Sequence, residues 1–146
     1  MRMPIGQLFM TWTYRLFHVA DTERPWYSVI AWWELRRISY NLIVGGAGII
    51  AVMLVWLFVF LPPKDTRPET GVEPLSVIIF GFVANAAYTL GWLVELITRT
   101  VSPERARDLG PRLLRLGIKL SLAMVALPAC AYLLMWVLRI AGVRFT

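Results

Sequence analysis

The stretch that decides the fold covers residues 32–63, WWELRRISYNLIVGGAGIIAVMLVWLFVFLPP. It opens with a collar of aromatic and charged residues: Trp32, Trp33, Glu34, Arg36, Arg37 and Tyr40. From residue 38 to residue 63 it carries no charge. An apolar run of more than about 18 residues predicts a transmembrane helix, and aromatic residues with arginines are typical of a membrane–water interface. The stretch therefore predicts an integral membrane protein.

The composition agrees with this prediction. Of the 146 residues, 58% are hydrophobic and only 16% are charged, whereas a soluble domain carries about 25% charged residues. The formal net charge of +6 would suggest nucleic acid in a soluble protein. Because the arginines flank apolar runs, they indicate membrane topology and contact with lipid headgroups. The expected partner is the lipid bilayer, and no nucleic acid is expected.

The hydrophobic pattern predicts an all-α membrane bundle. We expect a single membrane domain over residues 1–146, with transmembrane helices at 38–61, 75–97 and 116–140. An additional amphipathic helix is predicted over 5–20, rich in aromatic residues, lying in the plane of the interface. The alternative for this segment is a helix packed on the rest of the same protein.

Two further features concern the ends of the helices. The chain reads as helical from Trp26 to Phe60, about 50 Å, which is longer than a bilayer about 30 Å thick. The first part of this helix must therefore either protrude or bend at the collar. In the basic loop after the second span, Ser102-Pro103-Glu104 predicts the start of a short helix and Gly110-Pro111 its end.

The basic residues predict an orientation. With three spans, eleven of the fifteen lysines and arginines fall on one side: Arg2, Arg15, Arg24, Arg36, Arg37, Arg99, Arg105, Arg107, Arg112, Arg115 and Lys119. The other side holds four: Lys64, Arg67, Arg139 and Arg144. The positive-inside rule then predicts a cytoplasmic N-terminus and a periplasmic or extracellular C-terminus.

The polar residues of the first two spans are the candidate site. A spacing of three or four residues puts the members of each span on one helix face. The residues are Arg37, Asn41 and Gly45 on the first span and Asn85, Tyr88, Trp92 and Glu95 on the second. Antiparallel packing predicts an interface with Arg37 level with Glu95, Asn41 near Gly91 and Gly45 near Tyr88. Arg36 or Arg37 is expected to pair with Glu95.

Two interpretations of this polar face remain open. It is either polar packing between helices or a path for protons or ions, since ionisable residues inside membranes often mark such paths. No catalytic residue, cofactor or metal site is predicted. His18 and Cys130 are the single histidine and the single cysteine, and together they cannot form a closed zinc site. The protein is not expected to be an enzyme.

Two segments resemble segments of small multi-span membrane proteins of bacteria. They are E-x-R-R-x-x-Y-N-L-I-x-G, from Glu34 to Gly45, and A-N-x-x-Y-T-L-G-W-x-x-E-L, from Ala84 to Leu96. The resemblance covers about a sixth of the chain. It implies the bacterial inner membrane and no particular activity.

The leading functional prediction is a non-catalytic subunit or scaffold of a membrane assembly. Three helices bury little surface on their own, and lipid provides no hydrophobic drive between them. We therefore expect self-association or binding to another membrane protein, with the aromatic region 9–40 as the docking surface. The alternative is a small oligomeric transporter or channel that uses the stripe of Asn85, Tyr88 and Glu95.

Overall fold

Every regular element among the described residues is a helix. A computed structural model of the chain describes residues 10, 11, 14, 16–19, 25–63 and 72–143. Its helices are α1 (Trp26–Phe60), α2 (Pro74–Val101), α3 (Pro103–Ala106) and α4 (Leu109–Ile140). The predicted all-α class is confirmed for these residues.

Three of the helices are long and apolar enough to cross a membrane. Helices α1, α2 and α4 have 35, 28 and 32 residues, and their most apolar 18-residue windows have mean hydropathies of 2.7, 1.8 and 2.0. At a rise of 1.5 Å per residue each helix exceeds the hydrocarbon thickness of about 30 Å. The predicted membrane character and number of candidate spans are confirmed, and α1 has the predicted bounds, Trp26–Phe60.

The amphipathic helix predicted over 5–20 lies largely outside the described residues. Within that range, residues 10, 11, 14, 16 and 17 have helical backbone, and the amide of His18 donates to the carbonyl of Tyr14 at 2.8 Å. An interfacial helix at this position stays a prediction.

The predicted helix end at Gly110-Pro111 is wrong. The short helix α3 begins at Pro103, as expected, but ends at Ala106, and α4 starts at Leu109 and runs through both residues. A proline in the first turn removes no hydrogen bond, because the first four amides of a helix have no partner within it. Gly110-Pro111 therefore lies at a helix start.

The chain divides into two compact units that share the long helices. One unit comprises Met1–Tyr40 and Ala86–Gly117, and the other Asn41–Asn85 and Ile118–Thr146. The predicted single domain over 1–146 stays a prediction.

The second unit has an apolar core and a polar closure at the end of α1. Ala51, Val55 and Ala129 form the core. The indole of Trp136 donates to the carbonyl of Pro62 at 3.1 Å, and the guanidinium of Arg139 donates to that of Phe58 at 2.8 Å. The last carbonyls of a helix have no partner inside it, so these side chains of α4 satisfy the end of α1.

Candidate functional site

Glu95 on α2 is a carboxylate fully removed from solvent in the first unit. Its side chain is 0% exposed, although most of the surface of the three long helices faces outward. The indole Nε1 of Trp33 donates to Oε2 at 2.7 Å, and the guanidinium Nε of Arg99 lies 3.2 Å from Oε1. A buried charge is tolerated only when it is paired and hydrogen-bonded, and each carboxylate oxygen here has a donor.

The start of α4 closes the pocket around this carboxylate. A Cβ at Gly110 would collide with the Glu95 carboxylate, with its Cδ at 3.1 Å. Glycine is required here because the backbone of α4 approaches the carboxylate more closely than any side chain permits. Gly110 and its neighbour Leu114 are both buried.

Trp33 joins α1 to α2 through its ring, its indole nitrogen and its carbonyl. A Cβ at Gly91 would lie 2.9 Å from the Trp33 ring, so the indole lies flush against α2. The hydroxyl of Tyr88 donates to the Trp33 carbonyl at 2.5 Å. The two rings meet edge-to-face at 5.1 Å, and the Tyr40 ring lies 4.7 Å from that of Tyr88. These aromatic pairs and hydrogen bonds form one continuous network.

Arg37 lies on the same side of α1 but has other partners than predicted. Its Nη2 atom lies 2.9 Å from Glu34 Oε1 and donates to the Thr89 hydroxyl at 3.0 Å. Its guanidinium carbon is 5.3 Å from the centre of the Tyr88 ring. The acid that pairs with Arg37 is therefore Glu34, which lies on the same helix, α1.

The neighbouring arginine holds the N-terminal segment. Arg36 donates to the carbonyls of Leu16 at 2.5 Å and His18 at 3.2 Å, and the indole of Trp32 donates to the same His18 carbonyl at 3.0 Å. The Arg36 guanidinium also stacks over the Trp32 ring at 4.0 Å. Two collar residues thus anchor residues 16–18 to α1.

The predicted interface residues fall in different environments. The amide of Asn85 donates to the carbonyl of Gly81 on its own helix at 3.0 Å. Asn41 is exposed, and a Cβ at Gly45 would have no neighbour within 4 Å. Trp92 is half-buried, and its indole nitrogen has no hydrogen-bond acceptor among the described residues. The structure brings Arg37, Tyr88 and Glu95 into one unit, whereas Asn41, Gly45 and Asn85 belong to the other.

The predicted register of α1 against α2 is wrong. The prediction places Asn41 beside Gly91, but the residue found there is Trp33, eight residues earlier on α1. It places Gly45 beside Tyr88, but the residue found there is Tyr40, five residues earlier. The shift amounts to about one and a half to two helical turns. The prediction assumed that Glu95 needs a cation from α1. Arg99, one turn away on α2, supplies that charge, so α1 contributes a neutral indole donor.

Three residues of this site escaped the sequence prediction. Arg99 was detectable, since it follows Glu95 by four residues and such a pair meets on a helix surface. Gly110 was read only as a helix terminator. Trp33 was assigned to the membrane interface because tryptophan is typical there, and nothing in its sequence position distinguishes an inward indole from an outward one.

Among the described residues, the partners of Glu95 are donors from α1 and α2, an arrangement typical of packing between helices. The Glu95 carboxylate has no solvent exposure, and a general base or a proton carrier must exchange protons with substrate or water. Among the described residues, no group of three or more His, Cys, Asp or Glu side chains is placed to hold a metal ion.

The chain matches no protein-family model, no curated protein and no solved structure. The geometry of the site is therefore the basis of the function proposed below.

The close approach at Gly110 generates the first prediction. The substitution Gly110→Ala is expected to lower the free energy of unfolding by about 1–3 kcal/mol, because the new methyl group displaces a carboxylate held by two donors. Gly117→Ala is the matched control on the same helix, since a Cβ there meets nothing within 4 Å. It should be neutral or stabilising by up to about 1 kcal/mol. Denaturant unfolding in detergent, followed by tryptophan fluorescence, measures both, and equal stabilities would contradict the close approach.

The ion pair generates the second prediction. Glu95→Leu should destabilise the protein by about 3–5 kcal/mol, since it leaves the Arg99 guanidinium, only 15% exposed, without its carboxylate. The double variant Glu95→Leu/Arg99→Leu should recover much of this loss, because two apolar side chains can replace a buried pair at little cost. The same unfolding measurement applies. A double variant less stable than Glu95→Leu alone would mean that Arg99 stabilises the fold by contacts other than this pair.

Proposed function

We propose that the protein is a non-catalytic subunit or scaffold of a membrane assembly in the bacterial inner membrane. The observation that carries this proposal is the outward face of α1 in the first unit. On that face the large side chains of Trp26, Tyr27 and Leu35 are exposed, with the charged Glu34 beside them.

The length of α1 supports this placement. Residues 38–60 are uncharged and span about 34 Å, which matches the hydrocarbon thickness of about 30 Å. Residues 26–37 add about 18 Å, whereas the headgroup layer on each side measures only about 5–8 Å. Part of this segment therefore reaches into water.

Three of the exposed side chains of this segment are large and apolar. Trp26, Tyr27 and Leu35 are 68%, 61% and 73% exposed, while Val29 and Trp33 on the inner side are buried. Glu34 is exposed among them. Aromatic residues are enriched in protein–protein interfaces, whose rims are polar. This narrows the predicted docking surface: Trp32, Trp33 and Tyr40 are buried within the first unit, and Trp26, Tyr27 and Leu35 remain to meet a partner.

A second contact is favoured within the membrane. The glycines Gly45, Gly46 and Gly48 follow one another on α1, and a Cβ at any of them would meet nothing within 4 Å. Small residues let another helix approach closely in lipid, where van der Waals packing drives association. Only 17%, 11% and 11% of the apolar windows of α1, α2 and α4 is buried, so most of their surface is open to lipid or to another chain.

The transport alternative has less support. Glu95 is fully buried with both oxygens occupied, Tyr88 donates to the Trp33 carbonyl and Asn85 to its own helix. A transport path needs ionisable groups that face a water-filled cavity, and this stripe offers none to water.

The mass of the purified assembly tests the proposal. After extraction in mild detergent, the protein should run as an assembly heavier than its 16.7 kDa chain. The double variant Tyr27→Glu/Leu35→Glu should release it as a monomer with an unchanged melting temperature, because both side chains are exposed and neither belongs to the buried core of the chain. Light scattering coupled to size-exclusion chromatography measures the protein mass.

The matched control is Val101→Glu at the end of α2, where the side chain is 80% exposed. This variant should keep the assembly intact. A wild-type monomer, or an assembly that both variants weaken equally, would refute docking on α1.

We further propose that the N-terminus is cytoplasmic and the C-terminus periplasmic or extracellular. The support is the distribution of basic residues, eleven on the proposed cytoplasmic side and four on the other. Fusions of alkaline phosphatase, which is active only outside the cytoplasm, test this orientation. Fusions after Pro63 and Thr146 should be active and a fusion after Asp108 inactive, and the reverse pattern would contradict the proposal.

A further inference from the structure

A basic cleft lies in the first unit, away from the buried carboxylate. It is open on one side and has a volume of about 420 Å³. Its lining residues are Met10, Tyr14, Phe17, His18 and Arg115. Of these five described residues, two carry nitrogen donors, three are apolar or aromatic, and none is acidic. We propose that this cleft binds the phosphate headgroup of an anionic phospholipid, with the start of the acyl region along Met10 and Tyr14.

The donors of the cleft are available to a ligand. The Arg115 guanidinium lies over the Phe17 ring at 4.7 Å, and among the described residues no acid lies within ion-pair distance of it. A guanidinium presents a planar fork of N–H groups that matches a phosphate. The His18 ring is exposed and stacks on Tyr14 with ring centres 4.6 Å apart. This stacking leaves the edge of the imidazole, with its nitrogens, open.

Hydrogen bonds from α1 hold the backbone of residues 16–18 and neutralise two of its carbonyls. The carbonyls of Leu16 and His18 would repel an anion, as carbonyls at the end of a helical segment do. Arg36 donates to both of them, and Trp32 also donates to the second. These bonds hold residues 16–18 in place and remove the repulsion, so the cleft is preorganised for an anion.

The depth of Arg115 in the membrane selects a lipid as the source of the phosphate. On α4, 19 residues separate Lys119 from Arg139, a length of about 28 Å that matches the hydrocarbon core. Arg115 precedes Lys119 by one turn and so lies about 6 Å outside that core. The headgroup layer is about 5–8 Å thick on each side, which puts the guanidinium at the level of the lipid phosphates.

The sign of the charge selects an anionic lipid over a zwitterionic one. A phosphatidylcholine headgroup would bring a quaternary ammonium next to Arg115, and no lining residue that the structure describes is an acid that could receive it. A phosphatidylglycerol headgroup has the phosphate without the cation, and its glycerol hydroxyls can hydrogen-bond to His18. Basic pockets at the membrane surface bind anionic headgroups in this way.

The test is a lipid titration of the purified full-length protein, read by native mass spectrometry. Phosphatidylglycerol should bind at least about tenfold more tightly than phosphatidylcholine, because both lipids carry the phosphate but only phosphatidylcholine brings a quaternary ammonium next to Arg115. Arg115→Gln should weaken the binding of phosphatidylglycerol by about tenfold. His18→Ala, which keeps the backbone carbonyl that Arg36 and Trp32 bind, should weaken it severalfold.

The matched control is Arg112→Gln, which removes the same charge one turn earlier on α4. Arg112 is exposed and pairs with Asp108 at 3.7 Å, so its loss should leave lipid binding within a factor of about two. Equal weakening in Arg112→Gln and Arg115→Gln would mean attraction by general surface charge and would overturn the site.

Three further outcomes would overturn the proposal. They are equal affinity for the two lipids, displacement of phosphatidylglycerol by an equal concentration of inorganic phosphate, and unchanged affinity in a folded His18→Ala variant. The last variant decides the question if Arg115→Gln does not fold, since the His18 ring is exposed and, among the described residues, its ring contact is the stacking on Tyr14.

Discussion

The packing of the first unit depends on one constraint, the removal of the Glu95 carboxylate from solvent. A buried charge must be paired and hydrogen-bonded, because an unpaired one lowers the stability of the fold by several kcal/mol. Three elements meet this demand together: Trp33 on α1 donates to one oxygen, Arg99 on α2 pairs with the other, and Gly110 lets the start of α4 close over both. Because Trp33 and Gly110 lie on helices other than that of Glu95, their contacts with the carboxylate fix α1 and the start of α4 against α2 in this unit.

The same stretch of α1 serves inward and outward contacts at once. Trp33 faces the carboxylate, and its carbonyl accepts the Tyr88 hydroxyl. The adjacent Trp32 and Arg36 turn to residues 16–18 and hold the floor of the basic cleft. The opposite face, with Tyr27 and Leu35, stays exposed. The collar that the sequence predicts to be a membrane-interface belt is thus a structural junction, and both of its tryptophans donate hydrogen bonds inside the protein.

The sequence was sufficient for the features that depend on local physics. Helix α1 has its predicted bounds because Pro25 precedes it and Pro62-Pro63 follows it, and the apolar runs identified all three candidate spans. The register between α1 and α2 was not accessible in the same way. It depends on which donor reaches Glu95, and an indole on α1 with an arginine one turn along α2 satisfies that carboxylate as well as an arginine on α1 would. The role of Gly110 could not be predicted from the sequence either, because a glycine beside a proline is also typical of a helix end.

A polar network is what specifies a register between membrane helices. Lipid tails are as apolar as Leu or Val, so sliding one apolar helix along another changes its burial little. The core of the second unit, Ala51, Val55 and Ala129, consists of such contacts, and its position is defined by the hydrogen bonds of Trp136 and Arg139 to the end of α1. In the first unit, sliding α1 by one turn would take Trp33 from Glu95 and leave a buried oxygen without its donor. The pair of Glu95 with Arg99 lies within α2, and a buried ion pair adds little net stability. The hydrogen bond from Trp33 to Glu95 is what disfavours the alternative registers of α1, so that the exposed face of α1 is presented in one arrangement.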